Sequence, residues 1–455
     1  MILWHKIHNS SNYLNQEDKM RKHLLATSAF VAASVVATGA SAQSLEDRIR
    51  TLEESMLMGS PGSGFDVNIS GYLHGGFFLV DIDSDPTKPT AEQEDYGSTD
   101  VKIGGTEVHF TATTLLDSGI EVGGRIELEG TTQRDQIDET YIWLEGGFGR
   151  MVLGAENGPS YLMHYSAPWV GGVAGADSPY YRYTVSSPGA GEGARTNTQT
   201  LLASDANKIT YFTPRFSGFQ FGIGYTPQNS NRDGQANGWG SAYDRSGGTG
   251  VENIVAVAGN FSRDFGGVSV GASAGWESGS SNVKIGDQGV SDDPTNWHIG
   301  GEVARGGFTV GGAYYSATGF WGGDGTGSTV PYDAGEGNAQ MAGVADASSD
   351  TEQTAWVVGA RYSTGPWGVG IGYLQAERDR PRFAYADASA TTATQTATSE
   401  SLANSVINIA ASYEAGPGVT VAADIGFYED DVPATGGTTE AREAVGAGLI
   451  LGISF

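Results

Sequence analysis

The chain of 455 residues has no cysteine, few basic side chains and, past its N-terminus, no long apolar run. Without cysteine there is no disulfide framework, no thiolate metal site and no cysteine nucleophile. Only 25 Lys and Arg stand against 53 Asp and Glu, a formal net charge of −28, which argues against nucleic acid as a partner, because phosphate binding needs basic surface. The seven histidines show neither H-E-x-x-H nor H-x-x-E-H spacing, so no zinc motif is present. No later segment offers the roughly 18 consecutive apolar residues of a membrane helix. That does not exclude a membrane, because a closed β-barrel also satisfies every backbone group in lipid.

Glycine is abundant instead, with 69 residues, together with 20 Tyr, 17 Phe and 9 Trp. Glycine at about twice its average usage would fit a flexible linker, but the aromatic content argues for packed structure.

The N-terminus indicates export. Met20-Arg21-Lys22 precedes an apolar stretch from Leu24 to Val36 and then Thr38-Gly39-Ala40-Ser41-Ala42, which places signal cleavage between Ala42 and Gln43. Residues 1–19 carry no such pattern and read as an extension upstream of the true start at Met20. Removing residues 1–42 takes Lys6, Lys19, Arg21 and Lys22 but only Glu17 and Asp18, so the net charge moves from −28 to −30.

Beyond residue 60 the dominant pattern has period 2. Residues 119–130 set Ile120, Val122, Ile126 and Leu128 against Glu121, Arg125, Glu127 and Glu129, and residues 219–226 set Phe219, Phe221, Ile223 and Tyr225 against Gln220, Gly222, Gly224 and Thr226. The last segment alternates Val445, Ala447, Leu449, Leu451, Ile453 and Phe455 with mainly small residues. Segment 137–145 is less regular, because Ile142 and Leu144 share the parity of Asp138 and Thr140. Segments of this kind are the signature of membrane β-strands.

Sixteen such segments occur, at about 65–80, 99–114, 118–130, 136–147, 149–156, 206–214, 217–227, 251–264, 267–279, 295–305, 308–318, 352–363, 367–379, 403–414, 418–430 and 441–455. Their connections alternate between short, such as Arg305-Gly306-Gly307 and Gly365-Pro366, and long, such as 157–205 and 319–351. Short periplasmic turns and longer external loops distinguish outer-membrane barrels. The expected fold is therefore an all-β, 16-stranded antiparallel transmembrane barrel over residues 61–455. Before it, residues 43–60 form a short periplasmic helix: Leu45, Ile49, Leu52 and Met56 mark either a surface-lying helix or a small coiled coil.

The segments Glu145-Gly146-Gly147-Phe148-Gly149-Arg150-Met151-Val152-Leu153-Gly154 and Asn207-Lys208-Ile209-Thr210-Tyr211-Phe212-Thr213-Pro214-Arg215-Phe216-Ser217-Gly218-Phe219-Gln220 resemble the hairpins that flank the constriction loop of Gram-negative trimeric porins of the alphaproteobacterial general type. The resemblance covers about residues 62–455. It implies an outer-membrane homotrimer that passes small hydrophilic solutes and ions by diffusion, without catalysis. It also implies contacts with lipid and lipopolysaccharide, and a terminal aromatic, here Phe455, read by the outer-membrane assembly machinery.

The same resemblance makes the loop at 157–205 the third external loop, folded inward to narrow the pore, with acidic loop residues set against wall arginines. The loop offers Asp177, Glu192 and Asp205, with Arg182 and Arg195. The inward strand parity offers Arg125, Lys208, Arg361 and Arg442 as the basic side. Glu107, Glu121, Glu127, Glu129, Glu277, Glu302 and Asp424 form the acidic side. The acidic excess leads to a mild cation preference. The alternative for each charge is simple hydration of the lumen. Alternative functions are a sugar- or anion-specific channel, or an adhesin or enzyme built on a similar barrel.

Other motifs carry less. Gly267-Val268-Ser269-Val270-Gly271 and Gly271-Ala272-Ser273-Ala274-Gly275 match the hydrolase elbow in letters only, since that elbow needs a strand-to-helix turn and these lie in one alternating segment. Asp81, Asp83, Asp85 and Glu92 imitate a calcium loop, but Pro86 takes the place of its obligatory glycine. No cofactor is expected beyond loosely bound Ca²⁺ on such acidic external loops. His109 and His298 fall on the inward parity as wetting groups.

Overall fold

The computed structural model describes residues 64–82, 96–130, 136–170, 176–177, 197–229, 251–281, 284–285, 289–290, 293–319, 352–385, 395–433 and 439–455. The signal segment, the helix at 43–60, Asp83, Asp85, Glu92, Arg182, Glu192 and Arg195 lie outside the described residues. No helix among the described residues is long and apolar enough to cross a membrane, which says nothing of β-barrels.

Alternation and lipid-compatible backbone pairing lead to one closed antiparallel barrel of sixteen strands. In chain order these are β1 (Asp66–Ile82), β2 (Tyr96–Leu115), β3 (Glu121–Glu129), β4 (Ile137–Gly146), β5 (Gly149–Ala155), β6 (Asn207–Phe212), β7 (Phe219–Gln228), β8 (Val251–Asp264) and β9 (Ser269–Ser281). After the small hairpin β10 (Lys284–Ile285) and β11 (Gly289–Val290) come β12 (Thr295–Arg305), β13 (Phe308–Thr318), β14 (Glu352–Thr364), β15 (Trp367–Tyr385), β16 (Gln395–Gly416), β17 (Val419–Pro433) and β18 (Thr439–Ser454). Each barrel strand pairs with its sequence neighbour, and β1 closes on β18. Phe455 extends this seam by exchanging backbone hydrogen bonds with Gly71 at 2.9 and 3.0 Å.

The two ends of the barrel differ. At one end the strands are joined tightly; Gly306 and Gly307, at φ 57° and 87°, form a two-residue hairpin whose left-handed backbone favours glycine. At the other end lie the long connections.

Outward positions carry exposed apolar side chains, such as Phe221, Ile223, Ile299 and Val310, while their neighbours in sequence turn inward. Irregularities re-aim side chains locally. A register shift between Ile126 and Leu128 against β4 turns both Asp138 and Glu139 inward, the physical reason that segment 137–145 breaks the alternation.

The interior is not uniformly polar. Tyr315, Ala355, Val357, Leu374, Val406 and Tyr428 point inward from β13 to β17 and are buried in one apolar cluster with Ile82 and Ala444. A second interior cluster joins Tyr141, Trp143, Val152, Phe212 and Ala258 to Met163. The expectation of a polar inner face is corrected here: part of that face is covered by the chain itself, through Met163, Ala167 and Ala176 of the β5–β6 connection.

Candidate functional site: an inward loop and an acidic wall

The connection between β5 and β6 turns into the barrel as soon as it leaves the wall. Gly158 is extended, and Pro159, with its fixed φ, starts the one-turn helix α1 (Pro159–Leu162). From there the described residues of the loop, as far as Val170 and again at Ala176, lie along the inner face of the wall. A Cβ on Gly222 would come within 2.8 Å of Pro159, and one on Gly311 within 2.5 Å of the Ser166 carbonyl. Side chains on Gly271 and Gly300 would overlap Tyr165, and one on Gly370 would overlap Val170. Gly359 faces Ala167, and Gly372 faces Ala176. The glycines on β7, β9 and β12–β15 thus form a seat that brings loop and strand backbones close together. Seven of the 69 glycines are accounted for by this contact.

Polar contacts fix the loop. Arg361 on β14 donates to the Trp169 carbonyl at 3.0 Å. Asp177 accepts from the Thr198 amide at 2.7 Å and from the Ser166 hydroxyl, joining the outgoing and returning legs. His298 is buried rather than wet, with Nε2 against the Ser160 carbonyl at 2.9 Å and its ring 4.6 Å from that of His164. Thr200 donates to Ser160 at 2.7 Å. Burial of the Tyr161 phenol, with Glu139 nearby, holds its pKa above the ordinary value.

At the loop's two roots Lys208 is buried, its ammonium donating to the carbonyls of Glu156, Ser204 and Ala206. Glu277 is fully buried and accepts from the Leu202 amide at 2.9 Å. Asp205 accepts from Ser204 at 2.8 Å.

The facing wall, β2–β4, is acidic. Glu107 and Glu129 stand opposite each other in register, and Asp138 joins them so that one carboxylate oxygen of each lies within 4.8 Å of the others. Beside them His109 Nε2 sits 2.8 Å from Glu107 and 3.3 Å from Glu127, and Arg125 Nε lies 2.6 Å from Glu127. The Arg125 guanidinium also meets His109 Nδ1. A guanidinium can only donate, so Nδ1 accepts and the ring proton sits on Nε2, directed at Glu107. With that tautomer the imidazole offers no lone pair to a metal between Glu107 and Glu127. This group is therefore a hydrogen-bonded network rather than a ligand set.

The sequence-identified charges divide accordingly. Glu107, Glu127, Glu129 and Arg125 come together on one wall. Glu121 lies toward the tight-turn end of the same wall and accepts from Trp143 at 2.9 Å. Three basic positions do not stand as a free row: Lys208 holds the loop roots, Arg361 holds the loop backbone, and Arg442 is buried in a 3.0 Å pair with Asp430. Glu302 faces inward on β12 beside Gly311, and Asp424 is buried on β17. Of the divalent-ion candidates only Asp81 is described, at the top of β1. The sequence reading missed Asp138, Glu139, Glu156 and Asp430. The broken alternation in β4 was the signal for the first two.

A closed sixteen-stranded barrel with long loops at one end and a loop seated inside it defines an outer-membrane channel. The model of the Gram-negative porin family matches residues 26–433, and the chain belongs to that family. It is a channel of the outer membrane rather than an enzyme. Among solved structures, an anion-selective porin from Comamonas acidovorans is 16% identical, with a TM-score of 0.51 over 86% of this chain and 100% of that one. OmpT of Vibrio cholerae in its trimer form is 14% identical, with a TM-score of 0.51 and the same coverages. At these identities the likeness is one of fold. An uncharacterized protein of Rickettsia prowazekii is 28% identical over 156 residues, 29% of this chain and 34% of that protein, so the match spans about a third of the relative's length.

Proposed function

We propose that the chain forms a water-filled pore for passive diffusion of small hydrophilic solutes and ions, with a mild preference for cations. The observation that carries this reading is the split interior. The inward loop rests on the β7–β15 wall, and the β2–β4 wall facing it bears Glu107, Glu127, Glu129 and Asp138 around Arg125. Carboxylates on a low-dielectric wall focus a negative potential into the lumen and raise the local concentration of cations. Sixteen strands are wide enough for an aqueous channel. Liposome swelling with sugars of graded size tests the pore: swelling that falls off with sugar size is expected, and none with any sugar would defeat the reading.

The working unit is a homotrimer in this reading. Outward aromatics form a belt across neighbouring strands, with Trp297 against Tyr314 at 5.3 Å and Trp356 against Tyr373 at 5.1 Å. Aromatic girdles mark lipid interfaces. The outward faces of β3–β5 instead present Ile126, Ile142, Leu144, Met151 and Leu153, which suits contact with another subunit. Phe455 serves as the assembly signal, and Ca²⁺ binds loosely at the acidic external loop that begins at Asp81, bridging it to lipopolysaccharide.

A further inference from the structure

We propose that Lys208 is the positioning residue of the inward loop: its ammonium ties the loop's first residue to its last ones and so sets the bore of the pore. This rests on the reading of that loop as the constriction. The side chain rises from β6, is only 3% exposed, and directs its three N–H bonds at the carbonyls of Glu156, Ser204 and Ala206. Glu156 begins the connection and Ala206 ends it, so one cation bridges both roots. An ammonium has three donors and no acceptor, and three converging carbonyls match it.

A buried cation is retained only where its donors are met and opposite charge is near. Asp205 and Glu156, at the two roots, lie near enough to supply that charge. The planar fork of an arginine does not fit three converging carbonyls. Beyond the roots, Arg361 and the glycine seat hold the loop's distal part, and the Asp177–Thr198 and Thr200–Ser160 bonds join its two legs farther in, so Lys208 is the tie at the roots themselves.

The test uses the full-length protein, taking only barrels that keep the compact mobility of the unheated folded form. Lys208→Met loosens the roots. Charge-assisted hydrogen bonds are each worth a factor of roughly ten or more in a two-state equilibrium, so the undocked fraction of the loop rises at least tenfold. Single channels of Lys208→Met then show raised open-channel current noise and an altered mean conductance. Lys208→Arg behaves the same way.

A cysteine pair supplies the second readout. Ala167→Cys with Gly359→Cys places two Cβ atoms about 3.1 Å apart before relaxation, near disulfide range, in a chain with no native cysteine. The bridge forms readily with Lys208 present and to a much smaller extent with Lys208→Met. Once formed under oxidant it quiets the noisy Lys208→Met channels, and reductant restores the noise. Folded Lys208→Met channels with unchanged noise and conductance overturn the proposal. So does noise that the bridge leaves untouched, or equal bridge formation in both backgrounds. Absence of any conductance in the unsubstituted protein defeats the pore reading alone, because bridge formation still reports on Lys208.

Discussion

Two inner walls of one barrel are built from the same alternating strands, yet they carry opposite chemistry. From β7 to β15 the inward positions are largely glycine, alanine and buried apolar residues, and the β5–β6 loop rests on them. On β2–β4 the inward positions include Glu107, His109, Arg125, Glu127 and Glu129, with Asp138 added by a bulge, while Tyr141 and Trp143 of β4 join the apolar cluster at Met163. Strand parity settles which side chains face inward. What they meet there, water or the chain itself, depends on the loop.

The largest effect separating the walls comes from filling the seat. Gly300→Leu forces the Tyr165 carbonyl off β12, and overpacking of this kind typically costs about 1–3 kcal/mol. The expected result is a lower thermal midpoint together with a changed single-channel conductance; an unchanged conductance would show that the loop does not rest there. Matched charges on the outer surface probe the other contrast. Val358→Arg faces lipid and should destabilise the barrel by about 2–4 kcal/mol, as arginine near the bilayer midplane does. Ile142→Arg should instead release monomers in native electrophoresis, and trimers that survive it would remove β4 from the interface.

Smaller effects follow. Arg361→Gln gives up the bond to the Trp169 carbonyl, a loss of about 1 kcal/mol, and a modest drop in the thermal midpoint checks it. On the acidic wall, Glu107→Gln with Glu129→Gln should reduce the cation-to-anion permeability ratio roughly twofold at low salt, an effect that fades as salt shortens the screening length.

The strands were legible because lipid imposes period 2 on one face of every strand. Their ends were less so where that pressure stops: β15 and β16 continue to Tyr385 and from Gln395, past the last alternating apolar residues. The β10–β11 hairpin is too short to show a period at all. At the site, sequence placed Glu107, Arg125, Lys208 and Arg361 on the inward parity, where they lie. It could not separate Arg125, beside the acidic cluster, from Lys208, enclosed by three carbonyls, because that difference depends on where a loop distant in sequence comes to rest. Asp138 escaped for another reason: a one-residue bulge reverses parity, and its trace in sequence is only the broken alternation of β4.

The central claim is that the pore's open wall is the acidic one. The most direct measurement is the zero-current potential of the reconstituted protein across a KCl gradient. A potential of the sign set by K⁺, moved toward zero by the Glu107→Gln and Glu129→Gln pair, is the predicted result. A potential of the sign set by Cl⁻, or one indifferent to those two substitutions, would contradict it.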